Sequence, residues 1–329
     1  MHDRALRIVK KHVEALQVNL RNQVVLTETG SNYYLYLPIM AALCGAKKVY
    51  ALSRDSSYGK AKDIIAEAQQ LADVLQLSQI SFFENNLPEE VFNNTTVVTN
   101  SGALRPLNAE FLAKFKEPFV LPLMFEAWEI RASDLDIHYC KQHQIKVAGT
   151  SEHHPDVAVF RYSGLLAMKL AFEAGFEVCG NTIVLVSNDD FGKTIHAYFE
   201  SQGATVIWVD EPEKAKPHFA TADFVFLAKY DEDRNYFSDK DAIFVGEEIN
   251  TLNPALVFVH LYGNVDIAYC KQHHIHVYPQ KQGRAQVMTQ TLGYVGLEPI
   301  LKLQAAGLKV AEEMLHHNLS SLSQPISGF

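Results

Sequence analysis

Asp136-Ile137-His138-Tyr139-Cys140-Lys141-Gln142-His143-Gln144-Ile145-Lys146-Val147 returns later in the chain as Asp266-Ile267-Ala268-Tyr269-Cys270-Lys271-Gln272-His273-His274-Ile275-His276-Val277, with nine of twelve positions identical. Agreement of that length in a chain of ordinary composition marks an internal repeat and predicts two versions of one fold related by duplication. In each copy an aspartate at an N-cap position precedes a helix of about a turn and a half, and Ile-x-Val then enters a strand. An α/β layer closes a helix onto its next strand in this way. His143 and His273 accordingly fall at solvated helix ends rather than at ligand positions.

Working outward, 329 residues favour two domains of ordinary size, and 48% apolar with 20% charged residues is a globular balance. A formal charge of -9 argues against nucleic-acid and anionic-membrane partners, which need a basic face. Cys44, Cys140, Cys179 and Cys270 form no C-x-x-C pair, and two of them are one matched repeat position, so no disulfide framework or zinc site is expected. Met1-His2-Asp3-Arg4 lacks the profile of a secretory leader, and no apolar run reaches the roughly 18 residues of a spanning helix. The expected location is the cytoplasm.

The apolar spacing of Leu6, Ile8, Val9, Val13, Leu16 and Leu20 predicts an opening amphipathic helix. A short buried strand, Gln23 to Leu26, leads into Thr27-Glu28-Thr29-Gly30-Ser31-Asn32, a helix from about Tyr34 to Leu43, and a strand from Lys48 to Leu52, which together read as a βαβ unit. Further short strands end in polar runs, Asn100-Ser101-Gly102 and Phe125-Glu126-Ala127-Trp128-Glu129-Ile130-Arg131. Ser151-Glu152-His153-His154-Pro155-Asp156 reads as the boundary, with a helix predicted from Val157 to Ala174. A second βαβ unit follows. Its strand Thr182 to Val186 runs into the turn Ser187-Asn188-Asp189-Asp190-Phe191-Gly192, and the strand Thr205 to Val209 ends at Asp210. A strand is expected from Ala242 to Val245 and a long helix from about Val287 to His317, packing back across the first domain. The predicted class is α/β: two doubly wound parallel-sheet, Rossmann-like domains with a cleft between them. Residues 1–155 with 285–329 form one domain, and 156–284 hold a connecting helix and an inserted dinucleotide-type domain.

This layout resembles the D-2-hydroxyacid dehydrogenases and their relative S-adenosylhomocysteine hydrolase. The resemblance is carried by Asp134-Leu135-Asp136-Ile137 through Ile145-Lys146-Val147-Ala148-Gly149-Thr150, and by Gly180-Asn181-Thr182-Ile183-Val184-Leu185-Val186 at the entry to the second domain. It implies a nicotinamide dinucleotide, NAD(P), as cofactor and a small-molecule substrate between the domains, and it is compatible with a homodimer. The family's G-x-G-x-x-G turn, which brings backbone N–H groups and a helix N-terminus to a diphosphate, corresponds here to Ser187, Asp189 and Gly192, with Asn188 between. Only the last glycine remains. An aspartate at the second position sets a carboxylate against a diphosphate, while Asp210, about 20 residues on, stands where an acidic residue binds ribose hydroxyls. Capping is the alternative role for each aspartate. The family's catalytic Arg-Gly and Pro-His correspond to Tyr262-Gly263 and Pro279-Gln280, so neither its cation nor its general acid is in place.

Other residues then become candidates. His153 and His154 at the boundary are candidate proton carriers, Arg131 a candidate replacement cation, and Thr29, Ser31, Asn32, Asn100, Glu126, Tyr262 and Gln280 candidate substrate contacts. No metal site is expected, and no serine-hydrolase, P-loop or zincin motif occurs. Two functions stay open: a divergent oxidoreductase with a modified dinucleotide site, narrowly favoured, and a small-ligand-binding or scaffolding protein that has lost NAD binding and catalysis.

Overall fold

The computed structural model describes residues 2–238 and 240–326. The chain divides into two compact units, Met1–Val159 with Leu297–Phe329, and Phe160–Gly296. In the first unit α1 (His2–Ala15), β1 (Val24–Glu28), α2 (Tyr36–Leu43), β2 (Lys48–Ser53), α3 (Ala61–Val74) and β3 (Ile80–Glu84) come first. They are followed by α4 (Glu89–Asn94), β4 (Val97–Val98), α5 (Ala109–Leu112), β5 (Val120–Pro122), α6 (Ile137–Gln142) and β6 (Lys146–Thr150). The second unit holds α7 (Tyr162–Glu173), β7 (Thr182–Val186), α8 (Asp190–Ser201), β8 (Thr205–Val209), β9 (Phe224–Leu227) and β10 (Asn235–Phe237). It continues with α9 (Gly246–Leu252), β11 (Val257–His260), β12 (Asn264–Val265), α10 (Ile267–Gln272) and β13 (His276–Tyr278). The chain then re-enters the first unit as α11 (Leu297–Leu315) and β14 (Ser323–Pro325).

In the first sheet the order is β14-β6-β5-β4-β1-β2-β3, parallel except for β14, which pairs antiparallel with β6. The second sheet is parallel in the order β13-β11-β9-β7-β8, and β10 and β12 make a small separate pair. Strands covered by helices on both faces are buried throughout, and β1 is apolar from Val24 to Leu26 and buried along its whole length, Thr27 and Glu28 included. Its alternate residues serve opposite faces. Leu26 joins Leu52, Val98, Leu121 and Val147 in one core layer. In the second unit Phe219, Phe237, Phe244 and Phe258 pack edge-on or tilted at 4.9 to 5.8 Å. Each buried ring of this size contributes about 1.5–3 kcal/mol.

The repeated tract occupies matching places in the two sheets. Asp136 accepts the N–H of Tyr139, Asp266 accepts those of Ala268 and Tyr269, and each short helix leads into the outermost parallel strand of its sheet. Gln144 and His274 close the helices at φ +54° and +53°, and the rings of His143 and His273 stack on Tyr139 and Tyr269 at 3.8 and 4.1 Å.

The opening helix, expected to reach Leu20, ends at Ala15, and three further elements differ from the sequence reading. The helix expected from Val157 starts at Tyr162, because Ala158 adopts φ +43° and both Val157 and Ala158 turn back to the carbonyl of His154. The C-terminal helix starts at Leu297 rather than Val287. Gly296, at φ +152°, breaks the path before it, and Pro299 fits in the first turn, where no N–H is needed. Ala242 to Val245 is not a strand. Ile243 and Phe244 instead donate their N–H groups back to the carbonyls of Asn235 and Tyr236 at 2.9 and 3.1 Å. Among the described residues no helix is long and apolar enough to cross a membrane.

Candidate functional site

Open α/β sheets bind ligands beyond the carboxyl ends of their strands, where the strand order reverses. That point lies between β1 and β4 in the first unit and between β7 and β9 in the second. The two places are built in different ways.

In the first unit a row of buried polar groups runs along the carboxyl ends of adjacent strands. Glu28 ends β1 at 5% exposure, and its Oε2 accepts the N–H of Ala103 at 2.8 Å. Burial pushes its carboxyl above the usual range, while the Ala103 N–H and the Arg105 guanidinium pull it back. Arg105 itself is engaged: Nε and Nη2 donate to the Asn100 Oδ1 and carbonyl oxygen, both at 2.8 Å, and Nη1 lies 3.1 Å from Asp134. Arg131 shares that carboxylate at 2.6 Å. On the opposite face of the sheet the hydroxyls of Thr27, Thr99 and Ser101 form a chain with 2.8 Å links. Beside these satisfied groups, Thr29 Oγ1, Ser53 Oγ and Asn100 Nδ2 are buried without a hydrogen-bond partner among the described residues. Buried polar atoms are nearly always paired with protein, water or ligand, because leaving one unpaired costs roughly 1–3 kcal/mol.

The row continues past β5 and β6. Glu126, 2% exposed, accepts the N–H of Glu152 at 2.6 Å and pairs its other oxygen with the amide of Gln324. Glu152, 7% exposed, makes no side-chain hydrogen bond or ion pair among the described residues. Burial, then the carboxylates of Glu129 and Glu126, push its carboxyl well above the ordinary range, so it favours the protonated form and can act as a proton donor. A raised folded value stabilises the fold at pH below the ordinary 4.5 and loses that stabilisation as pH rises through the elevated value. Glu152→Gln is therefore expected to raise stability by roughly 1–2 kcal/mol at pH 8 and by little at pH 4. Thermal melts at the two pH values check this, and an equal shift at both would rule out a destabilising buried charge.

In the second unit the switch point is filled by the chain's own carboxylate. Asp189 Oδ1 accepts the N–H of Gly192 at 3.2 Å and the hydroxyl of Ser187 at 2.9 Å, and Oδ2 accepts the N–H of Tyr230, beyond β9, at 3.2 Å. Burial raises its carboxyl, against the hydrogen bonds, which lower it. Asn188 reaches Asp231 at 3.3 Å, further joining the two loops. A Cβ at Gly192 would stand 2.6 Å from Ser187 Oγ and 3.1 Å from the Trp208 ring, so the surviving glycine permits close helix–strand packing. The donors that would cradle a diphosphate thus already hold an anion, and the resting turn does not fit that group.

The remaining candidates are scattered. Asp210 is exposed and pairs with Lys214 at 2.6 Å. Tyr262 is buried against Phe191 and Tyr230, with ring centroids 5.0 and 5.3 Å apart. Gln280 Nε2 donates to the Val277 carbonyl at 2.7 Å. His153 is exposed, and His154 Nδ1 accepts the Asp156 N–H at 3.3 Å. Ser31 makes no capping bond, and Asn32 is exposed at φ +54°. Of the sequence candidates, Thr29, Asn100 and Glu126 share the first sheet's carboxyl edge. Glu28, Ser53, Arg105, Asp134 and Glu152 were not singled out. For Glu28 and Glu152 the available signal was an acid just past the apolar run of a strand, inside the polar stretches Thr27 to Asn32 and Ser151 to Asp156.

No family model and no curated protein matches the chain. Solved structures do. A dipicolinate synthase polypeptide from Bacillus halodurans aligns with a TM-score of 0.55 at 11% identity, covering 91% of this chain and 98% of that one. The pyruvate reductase of Chlamydomonas reinhardtii aligns at 0.53 and 10% identity, covering 93% and 99%. NAD-dependent formate dehydrogenase from Staphylococcus aureus, solved in complex with NAD, aligns at 0.50 and 11%, covering 93% and 99%. The fold is that of the D-2-hydroxyacid dehydrogenase-like proteins.

Proposed function

We propose that this protein handles a small polar molecule at the carboxyl edge of its first sheet, on a scaffold of dehydrogenase-like fold. The observation that carries this reading is the set of buried, unpartnered polar atoms, Thr29 Oγ1, Ser53 Oγ and Asn100 Nδ2, gathered at the ends of neighbouring strands around the switch point. Glu152 supplies a protonated acid on the same edge, which gives proton transfer a place to occur. Oxidoreductase chemistry with a nicotinamide dinucleotide is one form of this function, supported by the likeness to an NAD-bound dehydrogenase. In that form the dinucleotide displaces Asp189 from the turn. Binding without a dinucleotide is the second form, favoured by the three groups that hold the Asp189 carboxylate.

Native mass spectrometry of freshly purified protein tests the reading. A co-purified small molecule retained by the wild type and lost from Asn100→Ala is the expected result, and a co-purified NAD mass selects the oxidoreductase form. Retention unaffected by Asn100→Ala would remove the first sheet's edge as the working site.

A further inference from the structure

We infer that β8 is an interaction edge that pairs antiparallel with β8 of a second copy of this chain, joining their second sheets into one continuous sheet. This is independent of the ligand site proposed in the first unit. It starts from a strand that one sheet has and the other lacks. Strand order places β8 beside β7 as it places β2 beside β1. In the first sheet the outer edge of β2 is covered by β3, residue for residue from Val49 to Ser53. Residues 54–96 supply α3, β3 and α4 there, whereas the matching link in the second unit, residues 210–223, holds a 3-10 helix (Pro212–His218) and no strand. β8 therefore ends its sheet with one side unpaired.

The register decides which groups face outward. Thr205 donates its N–H to Asn181 and Val209 accepts that of Ser187, so the backbone of residues 205, 207 and 209 is turned toward β7. Alternation turns the N–H and C=O groups of Val206 and Trp208 the other way, where they have no backbone partner among the described residues. Exposed edges are normally blunted by a lysine, a proline or a bulge. Thr205-Val206-Ile207-Trp208-Val209 has none of these in an unbroken register. Trp208 stays 40% exposed, with its indole N–H fixed on the Ser187 carbonyl at 2.5 Å.

A second copy fits because the outward groups are symmetric about Ile207. A two-fold axis there sets Val206 of one copy opposite Trp208 of the other, each such pair exchanging both hydrogen bonds, and Ile207 opposite its own counterpart. Every outward group of both strands is then used, and each pair brings a β-branched and an aromatic side chain together on one face. Beyond the strand the same register sets Asp210 opposite Ala204 and Glu211 opposite Gly203, so no carboxylate meets another across the seam. Shifted registers need groups already in use: the Ala204 N–H donates to Phe199, and Lys229 holds the Asp210 carbonyl at 3.1 Å.

Sedimentation of the full chain across a micromolar range, with Val206→Pro alongside, tests this. Wild type is expected as a dimer and Val206→Pro as a monomer, because proline removes an outward N–H and leaves the bonds to β7 in place. Far-UV circular dichroism establishes that the variant is folded. Ile207→Cys gives a second reading that does not depend on that variant, made in a Cys179→Ser background because Cys179 is exposed. Side chains opposite each other on the axis lie within disulfide reach, so mild oxidation is expected to link two chains. Thr205→Cys in the same background faces Val209 rather than its own counterpart and is expected to stay unlinked. A monomeric wild type, or Ile207→Cys linking no faster than Thr205→Cys, overturns the inference. A dimer that Val206→Pro leaves intact also overturns it, and association then runs through another surface, such as the one that exposes Leu165 and Phe172 on α7.

Discussion

Replacing Asp189 by Gly is expected to strengthen NAD binding about tenfold or more, with the larger gain at low salt. In the wild type the Asp189 carboxylate holds the N–H groups of Gly192 and Tyr230 and the Ser187 hydroxyl. A diphosphate needs those donors and must also come near the carboxylate, where two unit charges at 4 Å repel by about 4 kcal/mol at an intermediate dielectric. Removing the side chain frees the donors and removes the charge. The opposing loss is the helix cap, typically about 1 kcal/mol of stability, and it lowers the melting midpoint without touching the ligand's charge. Asp189→Asn keeps the bulk and an acceptor while removing the charge, so it should fall between wild type and Asp189→Gly. Salt separates the two contributions, because at 0.1 M the screening length is about 10 Å and the charge effect shrinks while the steric effect persists. Calorimetric titration of NAD at low and high salt, with a melt of each variant, measures this. Lower midpoints with no NAD binding in any variant would mean that the turn has become purely structural.

The fold was legible because its signals are local. Asp136 and Asp266 cap their helices as N-cap aspartates do, and the alternation of short apolar strands with helices gives the parallel sheets. Misread boundaries came from features with no local signature. Ala158 carries nothing in its side chain that foretells φ +43°, and Ile243 and Phe244 look like a strand while bonding back to Asn235 and Tyr236. The candidate edge was legible as polar strand ends but not as chemistry. Thr27 to Asn32 and Asn100 to Gly102 could be recognised as polar strand ends. Whether an atom there is satisfied depends on distant partners: Arg105 occupies Asn100 Oδ1 and leaves Nδ2 open, and Glu152 is shaped by Glu126, 26 residues earlier. Asp189 shows the same division. Its place in the turn after β7 was visible, but the N–H of Tyr230, which lies 41 residues on, was not.

Acidification from pH 6.5 to 4 should remove roughly 3 kcal/mol of stability through His260 alone. This residue ends β11 fully buried, with Nε2 2.9 Å from the Pro279 carbonyl and Nδ1 3.2 Å from the Thr289 hydroxyl. A neutral ring donates from Nε2 to the carbonyl, and a second proton would place a charge among buried groups. Burial pulls its pKa from 6.5 to about 4, the Pro279 carbonyl opposing and the Lys281 charge assisting. For a depressed folded value, the stabilisation is fully present above the unfolded value and is lost as pH falls through the folded one. The separation of about 2.5 units, at about 1.36 kcal/mol each, sets the scale. His260→Gln keeps an N–H donor for Pro279 and cannot titrate, so its stability should be lower at pH 7 by about 1–2 kcal/mol yet flatter across this window. Urea denaturation at pH 7, 5.5 and 4, with wild type and variant side by side, isolates the histidine because the other acid-sensitive groups are common to both. Parallel curves for the two proteins would show that His260 is protonated without penalty, and the burial of its ring would then have to be relieved by water entering at Pro279 or Thr289.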